Sequence, residues 1–244
     1  MALLDARLPL IRDRRPNGPK PPIVVNLKRA AAVGANHQIL FENLDLRIRK
    51  GQRWVVFAKQ RLAGVALLRC IAGFKPLERG KIEVNGNISW PLGEIKALSK
   101  RLSAEENSNY LAGIYGQPGQ RIQELARIRQ MASMDIKEWL IPIGQLPIIK
   151  KKEFMLALSL AFDFELYVVD PLILRPLLRA GSYSTHWQSL ILERLHERGV
   201  ITVADAALGI DSLCRRGLVL DNGKVVQQGA VSLCRSVVEA RETD

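Results

Sequence analysis

The sequence has few of the residues that build metal centres and disulfide frameworks. It contains three cysteines and three histidines in 244 residues. Cys70, Cys214 and Cys234 lie far apart without zinc-ligand spacing, so we expect reduced thiols, although the sequence alone leaves one disulfide open. Aromatic residues make up only 6% and are not interleaved with basic ones. This scarcity argues against a nucleic-acid platform built on base stacking.

The sequence also lacks long apolar runs and is short of acidic residues. No run reaches the roughly 18 apolar residues that a membrane-spanning helix needs. Asp5, Arg7 and Arg12 interrupt the apolar stretches at the N-terminus, which is unlike a secretory signal. Lys and Arg number 36 against 24 Asp and Glu, a formal net charge of +12. This excess favours an anionic partner, namely acidic phospholipid, nucleic acid or an acidic protein surface; a surface that only keeps the protein soluble is the alternative.

The length and composition predict three segments. Residues 1–22 are rich in proline and arginine and have little to bury, which indicates an extended basic arm. Residues 23–235 are long enough for one large domain with an inserted subdomain. Residues 236–244 form a tail. A second group of cations is the run Lys150–Lys152.

The stretch Trp54–Gly73 is the centre of the predicted domain. Trp54–Phe57 is apolar and β-prone, which predicts a buried strand. Leu62–Ala72 has apolar residues at helical spacing, and Gly73 can end that helix. Further strands are predicted at Ile23–Leu27, Gln38–Phe41, Leu44–Ile48 and Lys81–Val84, with a hairpin turn at Asn85-Gly86.

The middle of the chain is predominantly helical and the last third is mixed. Residues 91–163 predict a helical subdomain, with helices at Ala104–Tyr115, Gly119–Met134 and Glu153–Phe162. Leu166–Asp170 is an apolar run that ends in an acid, as expected for a central parallel strand. The remaining predicted elements are a helix at His186–Gly199, a strand at Val200–Ala204, a short helix at Asp211–Arg216, a hairpin formed by Gly217–Leu220 and Lys224–Gln228, and a helical tail.

Several stretches carry a resemblance to one protein family. A strand, loop and helix followed far downstream by Asp170 is the layout of a P-loop ATPase. The further stretches are Ser89–Gly93, Glu106-Asn107, Ile114–Gly116, Ala157–Asp163, Leu213–Gly217, Leu220 and Gly223-Lys224. Together they resemble the ATP-binding subunits of ABC transporters, and within them the exporters of capsular polysaccharide and O-antigen. The resemblance implies an α/β, P-loop NTPase-like nucleotide-binding domain with a mixed central sheet, N-terminal antiparallel strands and an inserted helical subdomain.

The Walker A pattern of that family is absent at the matching positions. The pattern G-x-x-x-x-G-K-[S/T] needs glycines for backbone approach, a lysine for the terminal phosphates and a hydroxyl for magnesium. Its two glycines fall at Ala58 and Ala63, and a third glycine usual in this family falls at Arg61. The lysine falls at Gly64 and the hydroxyl at Val65. The whole degenerate loop is Ala58, Lys59, Gln60, Arg61, Leu62, Ala63, Gly64 and Val65.

The other functional positions implied by the resemblance are also changed. The magnesium-sensing glutamine falls at Ser99 and the signature Ser-Gly near Ile148-Ile149. The Walker B aspartate survives as Asp170, but the catalytic glutamate falls at Pro171. The switch histidine falls at Asp205, an anion in place of a cation.

These losses predict a pseudo-ATPase. Phosphoryl transfer depends on positioning and electrostatics, so we expect no hydrolysis, no cofactor, no metal and no catalytic residue in this chain unless a competent partner supplies them. ATP and magnesium enter only under an alternative, a still-active exporter ATPase. The third hypothesis is a basic module on anionic membrane or nucleic acid; nucleic acid is the less favoured of these two ligands.

The predicted partner is a protein. It would be an ABC permease, a catalytic ABC ATPase homologue or a glycan-assembly protein, with the arm 1–22 on an anionic membrane. The localisation expected is cytoplasmic, peripheral at the inner face of the membrane. We do not expect an ATP-sandwich homodimer. His37, near the family's adenine-stacking aromatic, is expected to be a surface residue, and an anion beside Lys59 and Arg61 at the helix N-terminus stays open.

Overall fold

A computed structural model describes residues 19–93, 98–171, 173, 185–196, 198–205 and 210–242. The chain divides into two compact units. The first comprises residues 1–91 and 165–244, and the second comprises Leu92–Phe164. The predicted divisions at residues 22, 91, 163 and 235 stay predictions. Most of the arm 1–22 lies outside the described residues.

A three-stranded antiparallel sheet lies in the first unit, in the order β2-β1-β4. Its strands are β1 (Ile23–Val33), β2 (Ile39–Arg49) and β4 (Arg79–Val84). The prediction of two strands around a turn between residues 38 and 48 is wrong, because β2 pairs with β1 along its whole length. Asn43 has a positive φ of 48° at a register shift, so it forms an irregularity within one strand.

A five-stranded sheet follows the order β5-β6-β3-β7-β8. The strands are β3 (Arg53–Ala58), β5 (Leu166–Val169), β6 (Gly199–Ala204), β7 (Arg216–Asp221) and β8 (Lys224–Ala230). All neighbours are parallel except β7 and β8, which form an antiparallel hairpin. The mixed central sheet and N-terminal antiparallel strands confirm the predicted fold class.

Helices complete the first unit. Helix α1 (Arg61–Ile71) packs against β3 and β6, and its apolar face joins the core. Helices α6 (Thr185–Leu195) and α7 (Val231–Glu242) lie in the last third of the chain. Trp54, Trp90 and Trp187, with Trp139 of the second unit, are buried and serve packing.

The predicted hairpin at Asn85-Gly86 is wrong. After β4 the chain does not fold back on it, because Ile88 bridges Leu166 of β5 in parallel. Gly86 has a φ of 134°, and a Cβ there would lie 1.9 Å from a Glu165 carboxylate oxygen. The glycine therefore serves a close approach to Glu165.

The second unit is helical. It contains α2 (Ala104–Tyr115), α3 (Arg121–Met131), α4 (Ile136–Leu140) and α5 (Ile148–Ala161). A capping box begins α2, in which the Ser103 hydroxyl accepts from the Glu106 N–H and the Glu106 carboxylate accepts from the Ser103 N–H. Helix α5 begins five residues before its predicted start because Pro147, its N-cap, precedes it directly. Within the described residues, no helix is long and apolar enough to cross a bilayer.

Candidate functional site

The loop between β3 and α1 consists of two residues, Lys59 and Gln60. The Lys59 N–H donates to the Leu220 carbonyl at 3.1 Å, and the Ala63 N–H donates to the Gln60 carbonyl at 2.9 Å. Helix α1 already begins at Arg61. The positions that align with the second half of the phosphate-binding loop are therefore the first turn of a helix.

Gly64, predicted to stand at the position of the Walker A lysine, is a buried residue of α1 that faces Val203 of β6. A Cβ at this position would lie 2.8 Å and 2.9 Å from the two Val203 methyl carbons and 3.2 Å from Ala58 Cβ. These distances are shorter than ordinary van der Waals contacts. The packing of β6 against α1 thus excludes a side chain where the phosphate lysine would start.

Two cations stand at the N-terminus of α1. Lys59 and Arg61 are exposed, and Gln60, the N-cap, makes no side-chain capping bond. The first N–H groups of a helix and its dipole favour anions. This end of α1 can attract phosphate electrostatically, with donors different from the glycine-rich cradle of the Walker A pattern. Leu62, between these cations and Ala63, is 69% exposed.

Asp170 and Asp205, predicted to correspond to the Walker B aspartate and the switch histidine, lie at the same edge of the sheet as this loop. Asp170 comes directly after β5 and Asp205 directly after β6, and both strands run in the direction of β3. The Asp170 carbonyl accepts from the Ile173 N–H at 2.9 Å. Pro171 is buried and Asp205 is exposed. The parallel strands therefore place Lys59, Asp170 and Asp205 at one edge of the sheet.

Ser99 and Ile148-Ile149 belong to the helical unit. The Ser99 N–H donates to Asn107 Oδ1 at 3.0 Å, and Asn107 Nδ2 donates to the carbonyls of Ser99, Leu102 and Ser103 at 2.8–3.2 Å. Asn107 thus holds the Ser99 segment against the start of α2. Ile148 and Ile149 are 72% and 71% exposed in the first turn of α5.

A pocket of about 480 Å³ opens at the carboxyl ends of β3, β6 and β7. We call it the carboxyl-edge pocket. Its apolar residues include Phe57, Val219, Leu220 and Val238. Its charged residues are Lys59, Asp205, Asp221 and Arg241. Sequence reasoning missed Asp221, Val238 and Arg241, which have no motif; the sole sequence signal is that Asp221 directly follows the predicted strand Gly217–Leu220.

The remaining candidates carry no site. His37 is exposed, as predicted. Lys150, part of the basic run, lies 3.7 Å from Glu138 and 3.9 Å from Glu153. The three cysteines are buried and free, and burial raises the pKa of Cys70 to about 11 and that of Cys214 to about 12. Among the described residues, no three His, Cys, Asp or Glu side chains cluster as metal ligands would.

Comparison with curated proteins finds relatives along most of the chain. The polysialic acid transport ATP-binding protein KpsT of Escherichia coli is 22% identical over 203 residues, which cover 83% of this chain and 89% of the relative. The ATP-binding protein BexA of Haemophilus influenzae is 21% identical, covering 82% and 89%. The capsule polysaccharide export ATP-binding protein CtrD of Neisseria meningitidis is 21% identical, covering 77% and 84%.

This chain is a homologue of capsular polysaccharide export ATP-binding proteins. No protein-family model matches it. Among solved structures, an ATP-binding subunit of an ABC transporter superposes with a TM-score of 0.68 at 16% identity, covering 91% of this chain and all of the other. A dimeric ATP-binding cassette in a post-hydrolysis state, bound to ADP and Pi, superposes with a TM-score of 0.60 at 16% identity, covering 85% and 98%.

These similarities overturn three expectations. The predictions of no enzyme activity, of no ATP or magnesium, and against an ATP-sandwich dimer are wrong, because they conflict with these similar proteins. The relatives are ATP-binding proteins, and the similar cassette with ADP and Pi is a dimer. The error was to equate each missing side chain with a lost function, since backbone N–H groups at a helix N-terminus and contacts shared between subunits also hold nucleotides.

Proposed function

We propose that this protein is the ABC ATPase-type subunit of a capsule-type polysaccharide exporter, with a degenerate phosphate site of its own. It works at the cytoplasmic face of the membrane with a permease and binds ATP and magnesium together with a complete homologous subunit. The name pseudo-ATPase applies to it in that limited sense: its own loop departs from the Walker A pattern, and the pair of subunits hydrolyses ATP.

One observation carries this proposal. Strands β3, β5 and β6 run in parallel and end at one edge of the sheet, where α1 begins after β3. Gly64 in α1 has no room for a lysine side chain. The framework of a nucleotide site is therefore retained with altered donors. A polysialic acid transport ATP-binding protein and a capsule polysaccharide export ATP-binding protein are similar to most of the chain, which supports the exporter part.

The residues present fit a nucleotide in part. Lys59 and Arg61 can meet phosphate charge at the N-terminus of α1, and Asp170 can accept from a magnesium-bound water. Pro171 has no carboxylate to orient an attacking water, and Asp205 is an anion at the switch position. We therefore assign the water-orienting carboxylate and the switch cation to the homologous partner.

Calorimetry with Mg-ATP tests the nucleotide part. We expect binding by the purified chain, and about tenfold weaker binding by the double variant Lys59→Gln/Arg61→Gln, because each exposed, water-screened charge contributes about 0.2–1 kcal/mol and about 1.4 kcal/mol is tenfold. The control Arg127→Gln/Arg129→Gln removes two exposed cations from α3 and should bind as the unaltered protein does. Equal loss in both variants would show that only net charge matters.

Turnover tests the division of labour. We expect phosphate release when the chain is mixed with a complete homologous ATPase, and an increase over that homologue alone. If the chain neither binds Mg-ATP at millimolar concentration nor changes the turnover of the homologue, the proposal is wrong.

A further inference from the structure

The carboxyl-edge pocket lies where open α/β sheets bind ligands. Such sheets bind outside the carboxyl ends of their strands, at the point where successive connections leave in opposite directions. Here the chain leaves β3 through α1, which packs against β6, and later crosses from β6 to β7 on the other side of β3. The pocket opens at the ends of these three strands.

Helix α7 forms a wall of the pocket through Val238 and Arg241. The helix packs against β7, β8 and β3. Arg241 Nη1 lies 2.7 Å from Asp221 Oδ2, and Asp221 is only 12% exposed while Arg241 is 48% exposed. This ion pair places a guanidinium at the mouth of an apolar pocket.

The charges of the pocket favour an anionic group at its mouth. Asp221 Oδ2 pairs with Arg241, and the other carboxylate oxygen of Asp221, Oδ1, is buried away from solvent. Asp205 is exposed at the rim, where water screens its charge. Arg241 keeps further N–H donors, since a guanidinium has five, and Lys59 adds an exposed ammonium. With Asp221 paired and buried, the charged groups accessible at the mouth are two cations, Lys59 and Arg241, and one anion, Asp205.

The interior of the pocket favours an apolar body. Val238 and Ala58 are half-buried and offer apolar atoms to the pocket, whereas Phe57, Val219 and Leu220 in its wall are only 1–3% exposed. Its volume of about 480 Å³ falls within the roughly 300–1,000 Å³ of small-molecule sites. We propose that the carboxyl-edge pocket binds a single-chain amphipathic anion, with an aliphatic or aryl body against β7 and α7 and a phosphate or carboxylate head at Arg241 and Lys59.

Methyl NMR of the full chain with octyl phosphate tests the site directly. We expect the Val219, Leu220 and Val238 methyl signals to shift, with octanoate giving the same pattern if the head need only be anionic. Octanol, which has no charge, should bind about tenfold more weakly. Absence of shifts at these three residues with millimolar octyl phosphate would overturn the proposal, as would equal affinity for octanol.

Paired variants on α7 separate the pocket from the rest of the helix. Val238→Trp should fill the pocket and abolish octyl phosphate binding, whereas Val237→Trp, one residue away and outside the lining, should not. Arg241→Gln should weaken octyl phosphate about tenfold. The matched control is Arg235→Gln on the same helix. Arg235 pairs with Asp211, outside the helix, and this variant should keep full affinity. Equal effects in both members of either pair contradict the proposal.

The inference is independent of the nucleotide proposal except for Lys59, which both use. We therefore expect Val238→Trp to bind Mg-ATP as the unaltered protein does. Because both ligands are assigned Lys59, competition is measured in Lys59→Gln: if Mg-ATP still displaces octyl phosphate from the pocket of this variant, the pocket is part of the nucleotide site and the separate amphiphile site is refuted. If octyl phosphate binds and Mg-ATP does not, only the nucleotide proposal fails.

Discussion

At the residue scale, Gly64 links packing to function. Substitution Gly64→Ala is expected to lower the free energy of unfolding by about 1–3 kcal/mol, the usual cost of overpacking. The reason is the 2.8 Å distance from the new Cβ to a Val203 methyl carbon, and Val203 is β-branched and held in a strand. Urea denaturation followed by circular dichroism measures the change. For the same reason, Gly64→Lys should destabilise the protein without restoring a Walker A site.

Two further variants control this prediction. Gly113 lies in α2, and no atom lies within 4 Å of a Cβ placed there, so Gly113→Ala should stabilise the protein by about 0.5–1 kcal/mol. Val203→Ala combined with Gly64→Ala should recover part of the loss. A Gly64→Ala protein as stable as the unaltered one would contradict the close packing of α1 on β6.

A buried arginine gives a second residue-scale prediction. Arg53 is 6% exposed, and its guanidinium donates to the carbonyls of Leu195 and Arg198 at the end of α6. Arg53→Met should lower the free energy of unfolding by about 2–4 kcal/mol, because an unsatisfied buried carbonyl costs about 1–3 kcal/mol. Thermal and urea unfolding would measure it. The exposed Arg47 of β2 is the control, and Arg47→Met should change stability by less than about 0.5 kcal/mol.

At the element scale, Glu83 ties the edge strand β4 to β1. Its carboxylate accepts from Asn26 at 2.8 Å and lies within 3.3 Å of Lys28 and 2.9 Å of Lys81. Hydrogen bonds from Lys81, Asn26 and Lys28 lower the pKa of Glu83 from 4.5 to about 2. A lowered pKa means that the contribution to stability is complete above the unfolded value and is lost as the pH falls towards the folded value.

Stability should therefore fall between pH 4.5 and about 2 more steeply in the unaltered protein than in Glu83→Gln. NMR titration of the Glu83 carboxyl carbon gives the pKa directly, and urea unfolding at several pH values gives the slope. Parallel pH profiles for the two proteins would show that these contacts do not form in solution.

Local signals decided which elements the sequence could predict. Helix α2 was predicted at its observed bounds, Ala104–Tyr115, because its apolar spacing is regular, and in the structure a capping box of Ser103 and Glu106 begins it. The turn predicted inside β2 failed because Asn43 adopts a positive φ without ending the strand. Gly86 failed as a hairpin signal because its partner, Glu165, is remote in sequence.

In the candidate site, too, features local in sequence were predicted and contacts between remote residues were not. The strand, loop and helix at β3 and α1 are local in sequence and were predicted, and the direction of β5 and β6 places Asp170 and Asp205 beside them. The carboxyl-edge pocket joins Phe57 to Val219 and Arg241, and those residues become neighbours only through the strand order. Steric exclusion at Gly64 likewise depends on Val203, which no spacing rule relates to it.

At the scale of the whole molecule, the positive charge is uneven. Residues 19–91 contain thirteen Lys and Arg against four Asp and Glu, and this segment includes β1, β2, β3, α1 and β4. We expect the protein to bind vesicles containing anionic phospholipid and to be released as salt rises, since screening weakens surface attraction. Sedimentation with anionic and neutral vesicles measures this. Equal binding to neutral vesicles would show that charge is not the cause.

The central position of β3 has a consequence for the order of folding. Its two neighbours, β6 and β7, begin 146 and 163 residues after it, whereas β1, β2 and β4 all lie within the first 84 residues. During synthesis the three-stranded sheet can pair early, while β3 waits with both edges unpaired until almost the whole chain has emerged. An apolar strand exposed for that long is open to mispairing, so nascent chains interrupted before β7 should be the most aggregation-prone form of this protein.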